Sequence, residues 1–253
     1  MFVYRCRNFK GSFDIEDFFM LFLMDSFDSD FVYIISPWIT PFKFTRKVVY
    51  YPFISSYNMV DVLTSLKKNG VKVFLLTRCF DDFLSPDTIY MLHRVKEESI
   101  KLPQELYRFL ADQVSSALYR LNCLEEIISK GIECKFDLGL QDKNRFRLHA
   151  KIYVNNKYAL IGSANFTRSG VVRNGNWECL LRVESSSRVF KVILDAADKL
   201  YDAGRSYDDC QKRILQLINN YLKGSGIVIN GIQDLKKLLK EILYRFKYFV
   251  YAP

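Results

Sequence analysis

The sequence predicts an α/β fold: a mixed, largely central β-sheet flanked by helices on both faces, with extra helices at the C-terminal end. Three observations point to it. Residues 31–36 and 71–77 are β-branched and aromatic runs of strand length, separated by an amphipathic stretch over 59–68. Strand–helix–strand at that spacing suggests a right-handed parallel crossover. Residues 148–154 and 158–161 read as two more short strands, joined by the turn chemistry of Asn155-Asn156-Lys157. Helical periodicity then dominates the chain after residue 188.

Length and composition bound what the chain does. At 253 residues it can bury a proper core, and 49% hydrophobic residues argue for a globular protein rather than a disordered one. A net charge of +9 and a pI near 9.1 favour polyanionic partners, nucleic acid or an anionic lipid surface. The six cysteines, Cys6, Cys79, Cys123, Cys134, Cys179 and Cys210, include no Cys-x-x-Cys pair, so zinc-ribbon spacing is absent. Several lie in apolar runs, where a free thiol behaves as a small hydrophobe. The apolar segment at 18–23 is too short, and too closely bounded by acids, for a signal peptide or a membrane span. The expectation is a reducing, cytoplasmic setting without stable membrane insertion.

In chain order, the first dozen residues are basic and aromatic and suit an edge strand or an arm. Residues 13–25 form a helix with Ile15, Phe18, Phe19, Phe22 and Leu23 on one face, more in keeping with core than with a binding surface. Pro37 ends the strand at 31–36, and Trp38 after it either stacks on a base or packs in the core. Residues 42–57 are aromatic with Lys43, Arg46 and Lys47 interleaved. That pattern fits a nucleic-acid surface, where cations meet phosphates and rings meet bases, or a hairpin with a solvated basic face. The helix at 59–68 stops at Asn69-Gly70.

Residues 85–130 are mostly helical, interrupted at Pro103. Their first part places Ile89, Leu92, His93 and Lys96 together, and His93 reads as a structural or surface residue. Their second carries Leu106, Leu110, Val114, Ala117, Leu121, Leu124 and Ile128 and ends at Gly131. A strand follows at 132–138, then a polar turn whose Arg145 and Arg147 either hold flanking phosphates or are simply solvated. Later come a strand at 177–183 and a helix at 188–201 with Val189, Val192, Ile193 and Ala196 inward. A second helix spans 208–222, and Gly224-Ser225-Gly226 is hinge-like. The last helix sets Leu235, Leu238, Leu239, Ile242, Leu243 and Phe246 on one stripe, with Lys236, Lys237, Lys240 and Lys247 mostly opposite. It docks on its own core, pairs with another subunit or lies on a membrane surface. The division expected is a catalytic domain over 1–204 and a helical extension over 205–253, packed on the same domain or used in dimerisation.

The chemistry concentrates between 147 and 178. Residues two apart on a strand share a face, so His149 and Lys151 project together. The turn brings Gly162-Ser163-Ala164-Asn165 back towards them. An imidazole, an ammonium, a hydroxyl and a carboxamide, with no carboxylate, suit an anionic substrate better than a metal ion. This spacing resembles the HKD motif of the phospholipase D superfamily: His-x-Lys, four residues, an Asp, then a run to Gly-Gly or Gly-Ser and an Asn. His149, Lys151, Gly162, Ser163 and Asn165 fall on the pattern, and Asn156 stands where the family has Asp. The downstream run through Arg168 to Asn176-Trp177-Glu178 resembles the nuclease branch, in which a Glu on the next strand faces the His-Lys pair. The segment from Ile35 to Thr40 resembles the first-strand terminus that borders the cleft there.

The resemblance implies a phospholipase D-like fold and a phosphodiesterase. His149 would attack phosphorus. Lys151, Asn165 and Ser163 would stabilise the non-bridging oxygens, and Glu178 would orient the imidazole. No cofactor and no metal are implied. The mechanism uses two histidines and this chain carries one motif, so the resemblance implies a homodimer with the two motifs meeting at a two-fold axis. Three functions follow: a metal-independent nuclease acting on DNA or RNA, a phospholipid hydrolase or phosphatidyltransferase, and a weakly active nucleic-acid-binding subunit of a defence or restriction system.

Overall fold

The computed structural model describes residues 2–5, 14–45, 58–79, 88, 103–138, 147–172, 175–223 and 228–251. The expectations for 46–57 with Arg46 and Lys47, for His93 and its neighbours, for 141–146 with Arg145, and for Gly224-Ser225-Gly226 fall outside these residues. The chain divides into two compact units, Met1–Arg78 with Cys123–Arg205, and Cys79–Asn122 with Ser206–Pro253.

The first unit holds a seven-stranded sheet. Its strands are β1 (Phe2–Arg5), β2 (Phe31–Ile35), β3 (Lys72–Arg78), β4 (Glu133–Asp137), β5 (Ile152–Asn155), β6 (Tyr158–Gly162) and β7 (Cys179–Glu184), in the order β1-β7-β6-β5-β2-β3-β4. β2, β3 and β4 run parallel, and the remaining pairings are antiparallel. The fold is therefore mixed α/β, and β1 takes the edge position expected of the N-terminal segment.

Each face of the sheet is covered by a helix, because successive side chains of β5 point to opposite sides. On one side Phe19 and Phe22 of α1 (Ile15–Asp25) meet Tyr153 edge-on, and Phe22 also meets Tyr158. On the other side Phe190, Ile193, Ala197 and Tyr201 of α5 (Arg188–Ala203) pack on Ile35, Leu76, Val154, Ala159 and Val183. Fully burying one such Phe or Leu side chain contributes about 2 kcal/mol. α1 starts where Asp14 and Asp17 form a reciprocal capping box. The crossover helix α2 (Met59–Lys68) begins at Asn58, whose side chain accepts from the Val60 N–H.

On α5 the sequence reading needs correction. Val189 and Val192 are 54% and 67% exposed rather than inward. The buried stripe is Phe190, Ile193, Ala197 and Tyr201, spaced by three and four residues, and each of the two valines sits one residue, about 100° of helix, off it.

The second unit is helical. It contains the N-terminal part of α3 (Gln104–Ser129), then α6 (Tyr207–Tyr221) and α7 (Ile232–Tyr251). Ser206 and Asp209 cap α6, and the Asn219 side chain holds both main-chain groups of Ile229. Lys236 is buried rather than opposite the apolar stripe, because it shares a helical face with Ile232 and Leu239. Cys79 and Cys210 form a disulfide, an exception to the expectation of free thiols; 131 residues separate them, so spacing gives no sign of the pair. Among the described residues Cys123, Cys134 and Cys179 are free, and burial pushes the Cys123 thiol up to about 12. No helix among them is long and apolar enough to cross a membrane.

Between α4 (Arg168–Val171) and the strands the short connections carry the residues of interest.

Candidate active site

Strand direction brings the chemistry to one edge of the sheet. β5 runs antiparallel to β2, so its first residue, Ile152, lies beside Ile35 at the end of β2. Parallel β3 and β4 end on the same edge at Arg78 and Asp137, which are register partners. β6 arrives there at Gly162, opposite Leu180 near the start of β7. Ser36 to Trp38, Arg78, Asp137, His149 to Lys151, Gly162 to Asn165, and Glu178 are thus neighbours by topology, at the carboxyl ends of parallel strands where open α/β sheets place their ligands.

The strand expected over 148–154 begins only at Ile152. The reason lies in its neighbour: Ser36 gives its N–H to the Leu76 carbonyl and Pro37 has none to give, so β2 offers 149–151 no continuing ladder. His149 and Lys151 consequently occupy an extended lead-in rather than a paired strand, and still converge. Lys151 Nζ lies 3.1 Å from His149 Nδ1 and 3.3 Å from Nε2, and donates to the His149 carbonyl at 2.9 Å. His149 is exposed while Lys151 is buried, only 7% accessible.

The electrostatics follow from that geometry. His149 is held below the ordinary histidine range, first by the Lys151 charge, then by desolvation, then by Arg78. Lys151 is lowered by burial and by Arg78, against an opposing pull from Glu178. The imidazole is therefore biased towards its neutral form, the form with a lone pair to offer.

Ser163 and Glu178 make a second pair. The Ser163 hydroxyl donates to Glu178 Oε2 and accepts from the Cys179 N–H at 2.9 Å, and its own N–H reaches the Cys179 carbonyl at 3.0 Å. Asn176 also donates to Glu178, at 3.5 Å. The carboxylate thus engages Ser163 and Asn176, and acts on the His-Lys pair through the charge felt by Lys151. Gly162 is required by this junction, because a Cβ there would run into the Cys179 carbonyl.

Asn165 follows on a main chain that is fixed from several sides. Tyr153 donates to the Ala164 carbonyl at 2.6 Å, the Phe166 N–H reaches Ser36 Oγ at 3.0 Å, and Thr167 N–H closes on the Asn165 carbonyl at 2.8 Å. Its side-chain oxygen Oδ1 is buried with no hydrogen-bond partner. Leaving such an acceptor without a donor costs about 1–3 kcal/mol, and a hydrogen-bond donor rather than an anionic oxygen would complete it.

Of the other anticipated binding residues, Trp38 is half-buried beneath Arg78, whose guanidinium lies 5.0 Å from the ring centroid. Arg147 is exposed two positions before His149, Arg168 is exposed at the start of α4, and Lys43 is exposed at a bridge to Asn58. Arg78 is the member that the sequence reading missed. The signal available was its position as a cation ending a strand parallel to the one before Trp38. Asn156 is not at the site: it lies past the other end of β5, where its carboxamide accepts from the Asp30 N–H and donates to the Asp30 carboxylate. Among the described residues no cluster of His, Cys, Asp and Glu side chains is placed to hold a metal ion.

The fold is a mixed sheet that sets an imidazole–ammonium pair and an amide at one edge. Residues 43–201 match the family described as "Cardiolipin synthase, PLD-like domain", and the chain belongs to this PLD-like family of the phospholipase D superfamily. Two solved structures are similar to it. The phospholipase D family member Nuc from Salmonella typhimurium is 16% identical, with 74% of this chain and 89% of that chain covered and a TM-score of 0.41. NucT from Helicobacter pylori is 14% identical, with 81% and 97% covered and a TM-score of 0.43. No curated protein matches the sequence significantly.

Proposed function

We propose that this chain is a metal-independent phosphodiesterase that cleaves nucleic acid, DNA before RNA, through a phosphohistidine intermediate. The observation that carries this reading is the contact between Lys151 and the His149 ring, which holds an exposed imidazole below its ordinary pKa beside a cation. In the first step a His149 ring nitrogen bonds to phosphorus as the P–O bond to the leaving group breaks. The leaving oxygen takes a proton from His149 of the partner subunit, which supplies the acid in a homodimer. Water then attacks phosphorus as the P–N bond breaks; its proton goes to His149 of the partner subunit, which recovers its acid form, and the attacking imidazole is regenerated. Lys151 and Asn165 face the non-bridging oxygens as charge develops on them. In the observed arrangement the Ser163 hydroxyl donates its hydrogen bond to Glu178, so Ser163 serves by fixing that carboxylate near Lys151.

Nucleic acid is favoured by the +9 charge, by the single motif and by the likeness of Asn165 through Glu178 to the nuclease branch. Arg147, Arg168, Lys43 and Trp38 are the described residues suited to hold flanking phosphates and bases, and Arg145, Arg46 and Lys47 carry the same expectation from sequence. The domain reading, with catalysis in 1–204 and a helical extension in 205–253, goes with this function.

A second reading is phospholipid hydrolysis or transfer, favoured by the description of the matching family. The test gives the purified protein labelled single-stranded DNA, duplex DNA, RNA and phospholipid vesicles in excess chelator, beside His149→Ala. Cleavage of nucleic acid by the wild type alone is expected. Turnover of lipid only would transfer the same chemistry to the second reading, and complete dependence on a divalent ion would remove the metal-independent mechanism. Sedimentation should give a dimer; full activity in a monomer would contradict the two-histidine scheme.

A further inference from the structure

Arg78 and Asp137 end adjacent parallel strands as register partners, and both reach the same residue. Arg78 Nε donates to the Leu148 carbonyl at 2.6 Å, and the Leu148 N–H donates to Asp137 Oδ2 at 2.7 Å. Both main-chain groups of Leu148 are therefore held by side chains from β3 and β4. Leu148 also buries its side chain in the cluster beneath α5. The next residue is His149, ahead of the start of β5; the nearest strand support is the Gly162 N–H on the Lys151 carbonyl at 3.3 Å.

Resting on the phosphodiesterase reading of this site, we propose that Arg78 and Asp137 form a backbone clamp on Leu148 that positions His149 for attack on phosphorus. The clamp holds the chain where the β2 side of the ladder does not continue. A peptide hydrogen-bonded at both its N–H and its carbonyl has little freedom, so the imidazole one residue on inherits a fixed origin. Charge-assisted bonds suit this task, since each is about twice as strong as its neutral counterpart. Arg78 is itself oriented: its guanidinium lies over Trp38 and its N–H meets the Pro37 carbonyl at 3.4 Å. The arrangement also gives Arg78 a second effect. Its charge acts on both His149 and Lys151, adding a second cation beside Lys151 to a site for an anionic substrate. Asp137 and Arg78 are positioning residues; neither needs to touch the substrate.

The test pairs disruptive with conservative changes. Asp137→Ala removes the acceptor, while Asp137→Asn keeps an oxygen for the Leu148 N–H. Arg78→Gln keeps a donor without charge, and Arg78→Lys keeps the charge. Asp137→Ala is expected to lower kcat about 100-fold with KM little changed, as displaced reacting groups do, and Asp137→Asn to restore most of it. Histidine NMR supplies a readout that needs no turnover: with only two histidines in the chain, His149 is assigned by its loss in His149→Ala. Its titration midpoint should rise in Arg78→Gln and stay near wild type in Arg78→Lys, because removing a neighbouring cation favours imidazolium.

The clamp is overturned if folded Arg78→Gln and Asp137→Ala proteins keep the wild-type His149 titration and shift, or if Asp137→Asn and Asp137→Ala lose the same activity with equal falls in thermal stability. A wild type that cleaves no phosphodiester, yet shows the His149 shifts, would refute the proposed function and leave the clamp standing.

Discussion

At its turn, the β5–β6 hairpin commits its polar side chains to the fold. Asn155, fully buried, donates to the Phe22 carbonyl and Ser26 Oγ, and accepts from the N–H groups of Lys157 and Tyr158. Lys157 pairs with Asp28 at 3.0 Å and Asp25 at 3.5 Å, and Tyr158 donates to Asp25. At its open end the same hairpin sets the Lys151 ammonium against the His149 ring, with the charge of Arg78 from β3 acting on both, and leaves the Asn165 oxygen without a partner. Its two lysines record the contrast. Lys157 is raised, first by its hydrogen bond to Asp28, whereas Lys151 is lowered, first by burial. One end is satisfied internally and serves stability. The other leaves cationic groups without a carboxylate hydrogen-bonded to them, and under the proposed function an anionic substrate would offset that charge.

The contrast also settles where Asn156 belongs. The departure from the family Asp falls at the satisfied end, bonded to Asp30, a strand's length from His149. An Asp there would set a second carboxylate against Asp30 and lose the amide donor.

His149→Ala and Lys151→Met should each lower phosphodiester cleavage by about a thousandfold or more while leaving the melting temperature near wild type. Equal losses of stability would erase the distinction between the two ends. Asn155→Ala should do the reverse: denaturant unfolding should show about 3 kcal/mol lost, from several buried bonds broken at once, with normal activity per folded molecule.

The pH dependence sharpens the same point. Because His149 is depressed, the acid limb of kcat should lie below that of an ordinary histidine, with activity falling as pH drops through that midpoint. Removing the largest cause, in Lys151→Met, should move the His149 titration in NMR to higher pH, whereas Lys157→Met should leave it unchanged. Smallest of all, Asn156→Asp should cost under about 1 kcal/mol at its exposed position and give no gain in activity. A marked gain would place Asn156 back among the functional residues.

Much of the fold was legible because its signals are local. Strand-length apolar runs, the Asn155-Asn156-Lys157 turn and the helix caps are written within a few residues, and α2 spans just what its periodicity predicts. His149, Lys151, Ser163, Asn165 and Glu178 were picked out by a motif that resembles a known family, and the sheet topology brings their positions to one edge. What stayed hidden depends on partners far along the chain. Arg78 acquires its role from Leu148, 70 positions on, and Cys79 from Cys210. Val189 and Val192 are apolar without being buried, and Lys236 is charged without being exposed, because packing rather than residue type chooses the inward stripe. Glu178 was found, but its partner is Ser163, a choice made by the approach of β6 to β7.

The most direct test of the central claim is to trap the covalent intermediate. Protein mixed with a nucleic acid labelled at the scissile phosphate, in excess chelator, is quenched in denaturant and examined for label on the chain. The account predicts an acid-labile, base-stable adduct that maps to His149 and is absent from His149→Ala. Rapid cleavage with no labelled protein, or equal labelling of His149→Ala, would contradict it.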